Sequence, residues 1–397
     1  MQGSEEPLQE AYGTVRRRRG DEADTAGRVL QGLPKVILVD IIAPQTSPEE
    51  SLARLNELES LVLTYGGFVI IRKIQRRQTP DYQTYIGKGK LQEIVEYARE
   101  NDVKYIIINN LLKPQQTYNI ERQVETEGIE VWDKIDLILK IFDKHATSRE
   151  AKLQIELAGL KHLGPRIFKM GLDLMRQGGG IGTRGKGETN IEVMKRHIAR
   201  RELKVRQELK KVEAAQQSQR NRRKVHHGFK TVAIVGYTNA GKSCLMVALT
   251  RKNVKVEDVL FATLDTRLGK LYLPEIQKSC LMSDTIGFIR DLPPELIEAF
   301  KSTLAETIHS DLILHVIDAD DLEMEWKIKV VEEVLGKLGC AGKKKIYVFN
   351  KIDRLGETRR KELEQQFKIL QPLFISAAHQ MNLPVLKQAI AERLGRI

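Results

Sequence analysis

A glycine-bracketed segment in the second half of the chain has the composition of a phosphate-binding loop. Residues 236–243 read Gly-Tyr-Thr-Asn-Ala-Gly-Lys-Ser and fit the pattern GxxxxGK[ST], between an apolar run and a helix-like run. Glycines let backbone N–H groups curl around phosphates, and the following helix adds its positive end. Lys242 is predicted to reach the β- and γ-phosphates of a nucleotide, and Ser243 to bind Mg²⁺ through its hydroxyl. The predicted binding residues here are Gly236, Tyr237, Thr238, Asn239, Ala240, Gly241, Lys242, Ser243 and Cys244.

A second motif supplies a carboxylate and a glycine downstream of this loop. Asp284-Thr285-Ile286-Gly287 follows the apolar run 280–282. Asp284 is the expected carboxylate on the metal side, and the N–H of Gly287 can sense the γ-phosphate. All four residues are predicted to lie at the nucleotide.

A third motif has the residues that distinguish guanine from adenine. Asn350-Lys351-Ile352-Asp353 follows the apolar run 345–349. Asp353 can accept two hydrogen bonds, from N1–H and from the exocyclic amine of guanine. Adenine cannot supply that pair and would leave a buried carboxylate unpaired. Ser376-Ala377-Ala378, after the run 372–375, is expected to support the base.

The segment between the phosphate loop and Asp284 is predicted to be the first switch. Thr263 is the favoured second hydroxyl ligand of Mg²⁺, and Thr266 is the competing choice. The predicted switch residues are Phe261, Ala262, Thr263, Leu264 and Asp265. The predicted catalytic residues are Lys242, Thr263 and Gly287, and the predicted metal ligands are Ser243, Thr263 and Asp284.

The residue after Gly287 is Phe288, where Ras-like enzymes carry a glutamine that orients the attacking water. A phenyl ring cannot hydrogen-bond water. Intrinsic GTP hydrolysis is therefore expected to be slow unless another group or a partner positions the water. The same result is expected if Phe288 belongs to the core.

Strand–helix alternation in two parts of the chain predicts an α/β protein. Buried strands are expected at 36–40, 68–72, 104–109 and 129–132, and alternation resumes from residue 229. Ser47 with Glu50 forms a capping-box pattern, and Gly66-Gly67 should end that helix. We predict four segments: a disordered tail (1–34), a small parallel α/β domain (35–145), a helical hairpin with a Gly-rich tip loop (146–226) and a Ras-like P-loop G domain (227–397).

The predicted hairpin rests on two helices with apolar stripes. Packing of each helix on a neighbouring domain is the alternative. The intervening loop, Gly178–Gly187, has six glycines in ten residues and cannot form a stable helix. The stripes are Leu153, Leu157 and Leu160 on one helix, and Ile191, Met194, Ile198, Val205, Leu209 and Val212 on the other, with Arg201 interrupting the second.

The positive charge of the chain is concentrated on the second of these helices. The chain has a net charge of +12, and residues 191–224 hold twelve Lys or Arg against four Glu, a net +8. A charge run is often only a solvated surface. Beside a Gly-rich loop that carries Arg184 and Lys186, it favours contact with RNA phosphates rather than with base edges.

Composition favours a cytoplasmic protein. Cys244, Cys280 and Cys340 are few and widely spaced, which predicts a reducing compartment. The first 34 residues contain several acids and no apolar stretch, so neither a transit peptide nor a secretory signal is expected. No apolar run approaches the roughly 18 residues that span a bilayer, so stable membrane insertion is not expected.

Several segments resemble the HflX family of ribosome-associated GTPases over roughly residues 36–395. Outside the predicted G domain the resemblance lies in Tyr85–Leu91 (YIGKGKL), Glu150–Ala158 (EAKLQIELA) and Arg184–Glu192 (RGKGETNIE). Within it, GYTNAGKS, FATLD and DTIGFI followed by Leu292-Pro293 are typical of the family.

The sequence departs from the family pattern at a few positions. Lys186 replaces a proline, Met194-Lys195 an Asp-Arg pair, Lys134-Ile135 an Arg-Thr pair, Cys244 a threonine and Thr266 a proline. None of these changes removes a predicted phosphate or guanine contact. Because the sequence ends soon after the predicted G domain, the C-terminal extension of some relatives is not expected.

The resemblance implies binding to the ribosome, mainly the large subunit near the peptidyl-transferase region. With the charge of the second helix, we expect rRNA contacts of the hairpin and of Gly178–Gly187, and we expect a monomer. The resemblance also implies GTP hydrolysis stimulated by the ribosome and a role in splitting or rescuing stalled ribosomes. Two alternatives remain. One is an RNA-binding or ribosome-assembly factor switched by GTP, with incidental turnover; the other is a membrane-associated GTPase.

Overall fold

The first sheet is built around the apolar strand β1, Lys35–Ile42, of which seven of eight residues are buried. In the computed structural model, β2 (Phe68–Arg76) and β3 (Tyr105–Ile108) pair in parallel with β1 on its two sides. β4 (Glu130–Asp133) lies beyond β3 and gives the order β2-β1-β3-β4. A central strand with nearly all of its residues buried is the pattern of a sheet covered on both faces.

Helices α1 (Pro48–Tyr65), α2 (Lys88–Glu100) and α3 (Pro114–Val124) connect these strands. The Ser47 hydroxyl accepts the N–H of Glu50 at 3.1 Å and caps α1. Gly66 ends α1 with φ 96°, a left-handed conformation that glycine adopts without strain. The predicted start and end of this helix are confirmed.

The structure describes residues 32–177, 190–227, 229–250, 267–290, 296 and 304–395. The described residues fall into two units, one up to Asn110 with Ile120–Trp132, and one of Leu111–Asn119 with Asp133–Ile397. Most of the predicted tail, the loop 178–187, the switch 261–265 and Leu292-Pro293 lie outside the described residues. The division into four segments remains a prediction.

Helix α4, Lys134–His145, follows β4 and lies in the second unit; the sequence patterns did not single it out. Asp133 and Asp136 form a reciprocal capping box at its start, with backbone N–H···carboxylate distances of 2.9 and 3.0 Å. Most of α4 is buried, and Lys140, Asp143 and Lys144 are exposed to solvent.

Helices α5 (Arg149–Gln177) and α6 (Asn190–His227) pack against each other in antiparallel orientation. Arg149 pairs with Glu208, and Glu156 pairs with Arg201, so the contacts advance along α5 as they recede along α6. The arginine that interrupts the apolar stripe therefore has a carboxylate partner across the hairpin. The buried seam consists of Leu153, Leu157, Val205 and Leu209, with Leu160 partly buried.

The second sheet has the strand order β10-β9-β8-β5-β7-β6, and β6 pairs antiparallel with β7 while the other neighbours are parallel. Parallel strands end at one edge of a sheet, and ligands bind in α/β folds beyond that edge. The strands are β5 (Thr231–Gly236), β6 (Arg267–Leu273), β7 (Lys278–Asp284), β8 (Leu312–Asp318), β9 (Lys345–Asn350) and β10 (Leu373–Phe374). The described helices are α7 (Lys242–Thr250), α8 (Ala305–His309), α9 (Met324–Lys337), α10 (Glu357–Gln366) and α11 (Leu383–Gly395).

A partly buried histidine links α5 to the start of α4. His162 Nε2 lies 3.2 Å from Asp133 Oδ1 and 3.3 Å from Asp136 Oδ1, and its side chain is 12% exposed. Burial disfavours the charged imidazolium, but the hydrogen bonds and charges of the two carboxylates outweigh burial and raise the pKa of His162 to about 9. At neutral pH the cluster is therefore an ion-paired link between two helices.

This link predicts a pH dependence of stability. The pKa of His162 is about 9 in the folded protein, against an ordinary value near 6.5, so its contribution is fully present below about pH 6.5 and is lost as pH rises through about 9. This difference in pKa corresponds to a contribution of His162 to the free energy of unfolding on the order of 3 kcal/mol. Urea unfolding of the wild type and of His162→Gln at pH 6.5 and pH 9 measures it as the difference between the two proteins.

His162→Gln is expected to flatten this pH dependence, whereas His197→Gln, at an exposed histidine of α6, should leave it as in the wild type. An equal loss of stability with pH in the wild type and in His162→Gln would contradict the ion-paired link.

Candidate nucleotide-binding site

The loop between β5 and α7 has the backbone of a phosphate cradle. Asn239 and Gly241 have φ of 60° and 88°, so the chain turns through left-handed conformations before α7 begins. A Cβ on Gly241 would lie 2.2 Å from Asn350 Nδ2. Glycine is therefore required there both for conformation and for the close approach of the base-recognition motif.

Lys242 is buried at the first position of α7. Its Nζ donates to the carbonyl oxygen of Tyr237 at 2.7 Å, which curls the side chain back over the loop. Burial lowers the pKa of Lys242 to about 8, against the opposing charge of Asp284. A phosphate placed in this cradle would supply the anionic partner that a buried ammonium group requires.

Ser243 and Asp284 offer two oxygen ligands side by side. The Ser243 hydroxyl donates to Asp284 Oδ2 at 2.7 Å, and Asp284 is fully buried at the end of β7. Thr285 Oγ1 donates to the carbonyl of Ile234 at 2.7 Å and fixes β7 to β5 at this point. A hydroxyl and a carboxylate are the hard oxygen donors that suit Mg²⁺. Thr263 and Thr266 both lie outside the described residues, so the choice between them stays open.

Gly287 passes closely over the phosphate loop. A Cβ at this position would lie 2.8 Å from Thr238 Cγ2 and 3.0 Å from Lys242 Nζ. Lys242 extends to the same place, so the backbone of Gly287 lies beside the ammonium group that is predicted to hold the γ-phosphate. This proximity is the geometry that a γ-phosphate sensor requires.

Phe288 belongs to the core. It is 1% exposed and packs in a cluster with Tyr237, Leu304 and Ile313. Its N–H donates to the Gly236 carbonyl at 3.2 Å, and its carbonyl accepts from Thr238 N–H at 2.8 Å. The ring therefore points away from solvent, in agreement with the core alternative.

The base-recognition motif is tied to the phosphate loop by one side chain. Asn350 Nδ2 donates to the Ala240 carbonyl at 2.9 Å, and Asn350 Oδ1 accepts the N–H of Ala377 at 2.9 Å. Lys351 has φ 66°, and its ammonium group lies 2.7 Å from Asp318 Oδ2 at the end of β8. The three predicted motifs thus meet at the carboxyl edge of the sheet.

Asp353 is held in place by its neighbours. A hydrogen bond from the Ser376 hydroxyl keeps the pKa of Asp353 below its ordinary value, so this carboxylate is ionised at neutral pH. His379 Nε2 lies 3.6 Å from Asp353 Oδ2. Ala377 is buried and Ala378 is exposed beside them.

The sequence patterns missed three residues of this region. Asp318 is the last residue of the apolar strand β8 and is predictable from the position of that strand. His379 directly follows the Ser376–Ala378 motif. Arg290, three residues after Gly287, stacks its guanidinium 3.8 Å from the Trp326 ring centroid and pairs with Glu323 at 2.7 Å. No spacing rule points to this last contact.

Comparison with known families agrees with this geometry. Residues 52–143 match the family model described as GTP-binding GTPase N-terminal, and residues 145–223 match GTP-binding GTPase Middle Region. Residues 231–351 match the model described as 50S ribosome-binding GTPase.

Curated relatives are similar along most of the chain. A GTPase HflX of Caldanaerobacter subterraneus is 44% identical over 91% of this chain and 80% of its own length. A GTPase HflX of Escherichia coli is 36% identical over 91% of this chain and 83% of its own length. A solved structure of SsGBP in complex with GDP is 29% identical, with a TM-score of 0.53 over 91% of this chain and 98% of that chain. Among the described helices, none is long and apolar enough to cross a lipid bilayer.

Asp353→Asn is expected to shift nucleotide preference from GTP toward xanthosine triphosphate. The acceptor pair becomes one donor and one acceptor, which no longer matches both N–H groups of guanine but matches a carbonyl beside N1–H. Competition binding of the two nucleotides measures the change, and Glu357→Gln, at an exposed acid of α10, serves as the control. Unchanged preference in Asp353→Asn would exclude this residue from base recognition.

Phe288→Gln is not expected to accelerate intrinsic GTP hydrolysis, because this side chain lies in the core rather than at the nucleotide. It should instead destabilise the protein by about 3 kcal/mol, through lost packing and a buried amide. Single-turnover hydrolysis and urea unfolding measure the two effects, with Phe288→Leu as the apolar control. A faster glutamine variant of normal stability would show that the side chain reaches the attacking water.

Proposed function

Because this chain belongs to the HflX family of GTPases, we propose that it binds the large ribosomal subunit and couples GTP binding and hydrolysis to the splitting or rescue of stalled ribosomes. The chain is a GTP hydrolase, as its G domain and its relatives show. The observation that carries the ribosomal part is the antiparallel hairpin, whose second helix bears the positive charge of the chain.

In this proposal each motif has one task at the nucleotide. The N–H groups of 236–244 and the ammonium group of Lys242 hold the phosphates, and Gly287 N–H binds the γ-phosphate. Asp353 reads guanine, and Asn350 holds the base loop against the phosphate loop. Lys351 pairs with Asp318 at the end of β8. Ser376, Ala377 and Ala378 support Asp353 and the base from the other side.

The residues present also fit a magnesium ion. Ser243 and Asp284 would hold it, together with Thr263 from the first switch. Bound there, Mg²⁺ would neutralise charge on the β- and γ-phosphate oxygens.

The proposed rate limitation follows from Phe288. Phe288 stands where Ras-like enzymes carry a water-orienting glutamine, and its ring packs in the core. This position therefore offers no side chain that could hydrogen-bond the attacking water. A partner that positions the attacking water beside Asp284–Gly287 would supply the missing alignment. Each tenfold acceleration corresponds to a barrier lower by about 1.4 kcal/mol.

The RNA-binding surface of the proposal is the exposed side of α6. This helix has 38 residues and therefore extends about 57 Å at 1.5 Å per residue. Some of its basic residues are used within the hairpin, since Arg201 pairs with Glu156 and Arg206 with Glu202. Others are exposed to solvent, among them Arg200, Lys210, Lys211 and Arg222. Such charges contact phosphates and do not select bases.

The helices of the hairpin provide a stiff support for the loop between them. We propose that Gly178–Gly187 contacts rRNA, with Arg184 and Lys186 at phosphates and with glycines that let the backbone approach closely. We further propose that the protein acts as a cytoplasmic monomer.

Deletion of Gly178–Gly187 tests this arrangement. GTP affinity should remain within about twofold of the wild type, while cosedimentation with 50S subunits weakens by tenfold or more, about 1.4 kcal/mol. The residual ribosome affinity should still decline with salt, because the α6 charges and their counterion release persist.

A matched control replaces exposed Lys361 of α10 by Gln, which should change neither GTP binding nor cosedimentation. Loss of GTP binding with intact ribosome affinity in the deletion variant would place the loop at the nucleotide instead.

A further inference from the structure

We propose that Lys134 is a positioning residue that ties the segment after Gly287 to the helical hairpin, so that the bound nucleotide and the ordering of α4 and α5 are energetically coupled. The proposal needs only nucleotide binding and does not depend on the ribosomal function.

The first step is a buried hydrogen bond between residues far apart in sequence. Lys134 Nζ donates to the carbonyl oxygen of Arg290 at 2.9 Å. Lys134 is 5% exposed and Arg290 is 6% exposed. A buried lysine is costly unless its ammonium group is satisfied, and a buried carbonyl that loses its donor is costly as well. This contact therefore constrains both segments.

The second step connects Arg290 to the phosphate loop. Phe288 and Ile289, between Gly287 and Arg290, are 1% and 0% exposed, so this stretch is packed along its length. Phe288 is hydrogen-bonded through both its N–H and its carbonyl to Gly236 and Thr238 of the loop. A displacement of Gly287 toward a γ-phosphate is therefore transmitted to the Arg290 carbonyl rather than absorbed by a loose loop.

The side chain of Arg290 is fixed independently of its carbonyl. Its guanidinium stacks on Trp326 and pairs with Glu323, both at the start of α9. Trp326 in turn contacts the ring of Tyr237 in the phosphate loop, at 6.1 Å between ring centroids. Lys134 is thus the contact through which Arg290 acts on α4, while α9 holds Arg290 from the side of the G domain.

The third step leads from Lys134 to the hairpin. Lys134 is the first residue of α4 and directly follows the capping residue Asp133. Asp133 and Asp136 both contact His162 of α5, at 3.2 and 3.3 Å. The packed interior of α4 makes it a rigid element between these contacts. A displacement of the Arg290 carbonyl is therefore transmitted to α5 through Lys134, the start of α4 and His162.

Coupling of this kind is reciprocal: if the nucleotide changes the ordering of α4 and α5, then fixing α5 changes nucleotide affinity by the same factor. A purely structural Lys134 would behave differently. Its loss would loosen α4 equally with every nucleotide and leave no nucleotide-dependent difference to remove.

Hydrogen exchange of the full chain, bound to GDP or to a non-hydrolysable GTP analogue, measures the coupling. In the wild type we expect amide exchange in α4 and in residues 149–162 of α5 to differ by about fivefold or more between the two nucleotides. Lys134→Met should reduce this difference to less than about twofold. Lys134→Arg, which retains a long donor, should restore it, and Lys140→Met, at an exposed lysine of the same helix, should preserve it.

A second variant tests whether the coupling passes from α4 to α5 through His162. His162→Gln should retain the nucleotide-dependent difference in α4 and lose it in α5, because the interruption lies after Lys134. If Lys134→Met fails to fold, Lys134→Gln, whose shorter side chain falls short of Arg290, takes its place beside Lys134→Arg.

Two results would overturn the proposal. One is equal amide exchange in α4 and α5 of the wild type in its GDP-bound and its analogue-bound forms. The other is a nucleotide-dependent difference in amide exchange that is as large in folded Lys134→Met or Lys134→Gln as in the wild type. Neither result bears on ribosome binding, which is measured separately.

Discussion

The geometry of the nucleotide site depends on the side-chain amide of Asn350. It donates to Ala240 in the phosphate loop and accepts from Ala377 in the loop that supports the base. Three separate loops are thereby held at one edge of the sheet by a single buried residue. The required glycine at 241 follows from the same contact, since any side chain there would collide with the Asn350 amide. The positions of the phosphate loop and of the base-recognition loops therefore depend on the same side chain.

The same edge of the sheet carries the residues on which the proposed response to a partner depends. Gly287 lies against Lys242, and Phe288 is drawn into the core, so the segment is well placed to sense a γ-phosphate but not to align water. Its continuation through Arg290 to Lys134 joins the sensor to the helix that precedes the hairpin. Binding of RNA along α6 and hydrolysis of GTP would then act on a common element.

Much of the site could be predicted from the sequence because its contacts are local. The phosphate loop, Asp284–Gly287 and Asn350–Asp353 each combine a strand end with a short motif, and neighbouring parallel strands bring such ends together. The caps of α1 were likewise readable, since Ser47 and Gly66 act within one helical turn. Strand β6 was not predicted, although its last five residues alternate between buried and exposed.

The contacts that join the G domain to the hairpin could not be predicted in this way. Lys134 and Arg290 are 156 residues apart, and neither belongs to a motif with a fixed spacing. His162 reads as one polar residue on a helix, and its two carboxylate partners lie at the start of a different helix. Such pairs are determined by packing, which one sequence does not encode in any short pattern. Arg201 interrupts the apolar stripe of α6 because it pairs with Glu156 of α5 across the hairpin, a contact that the sequence alone does not reveal.

The most direct test of the coupling between ribosome and GTPase is steady-state GTP turnover by the full-length protein, alone and with purified 50S subunits or 70S ribosomes. Slow turnover by the isolated protein and at least tenfold acceleration by particles that contain the large subunit, about 1.4 kcal/mol of barrier, would agree with a partner that aligns the attacking water. Rapid turnover without ribosomes, or a rate that large subunits leave unchanged, would contradict it.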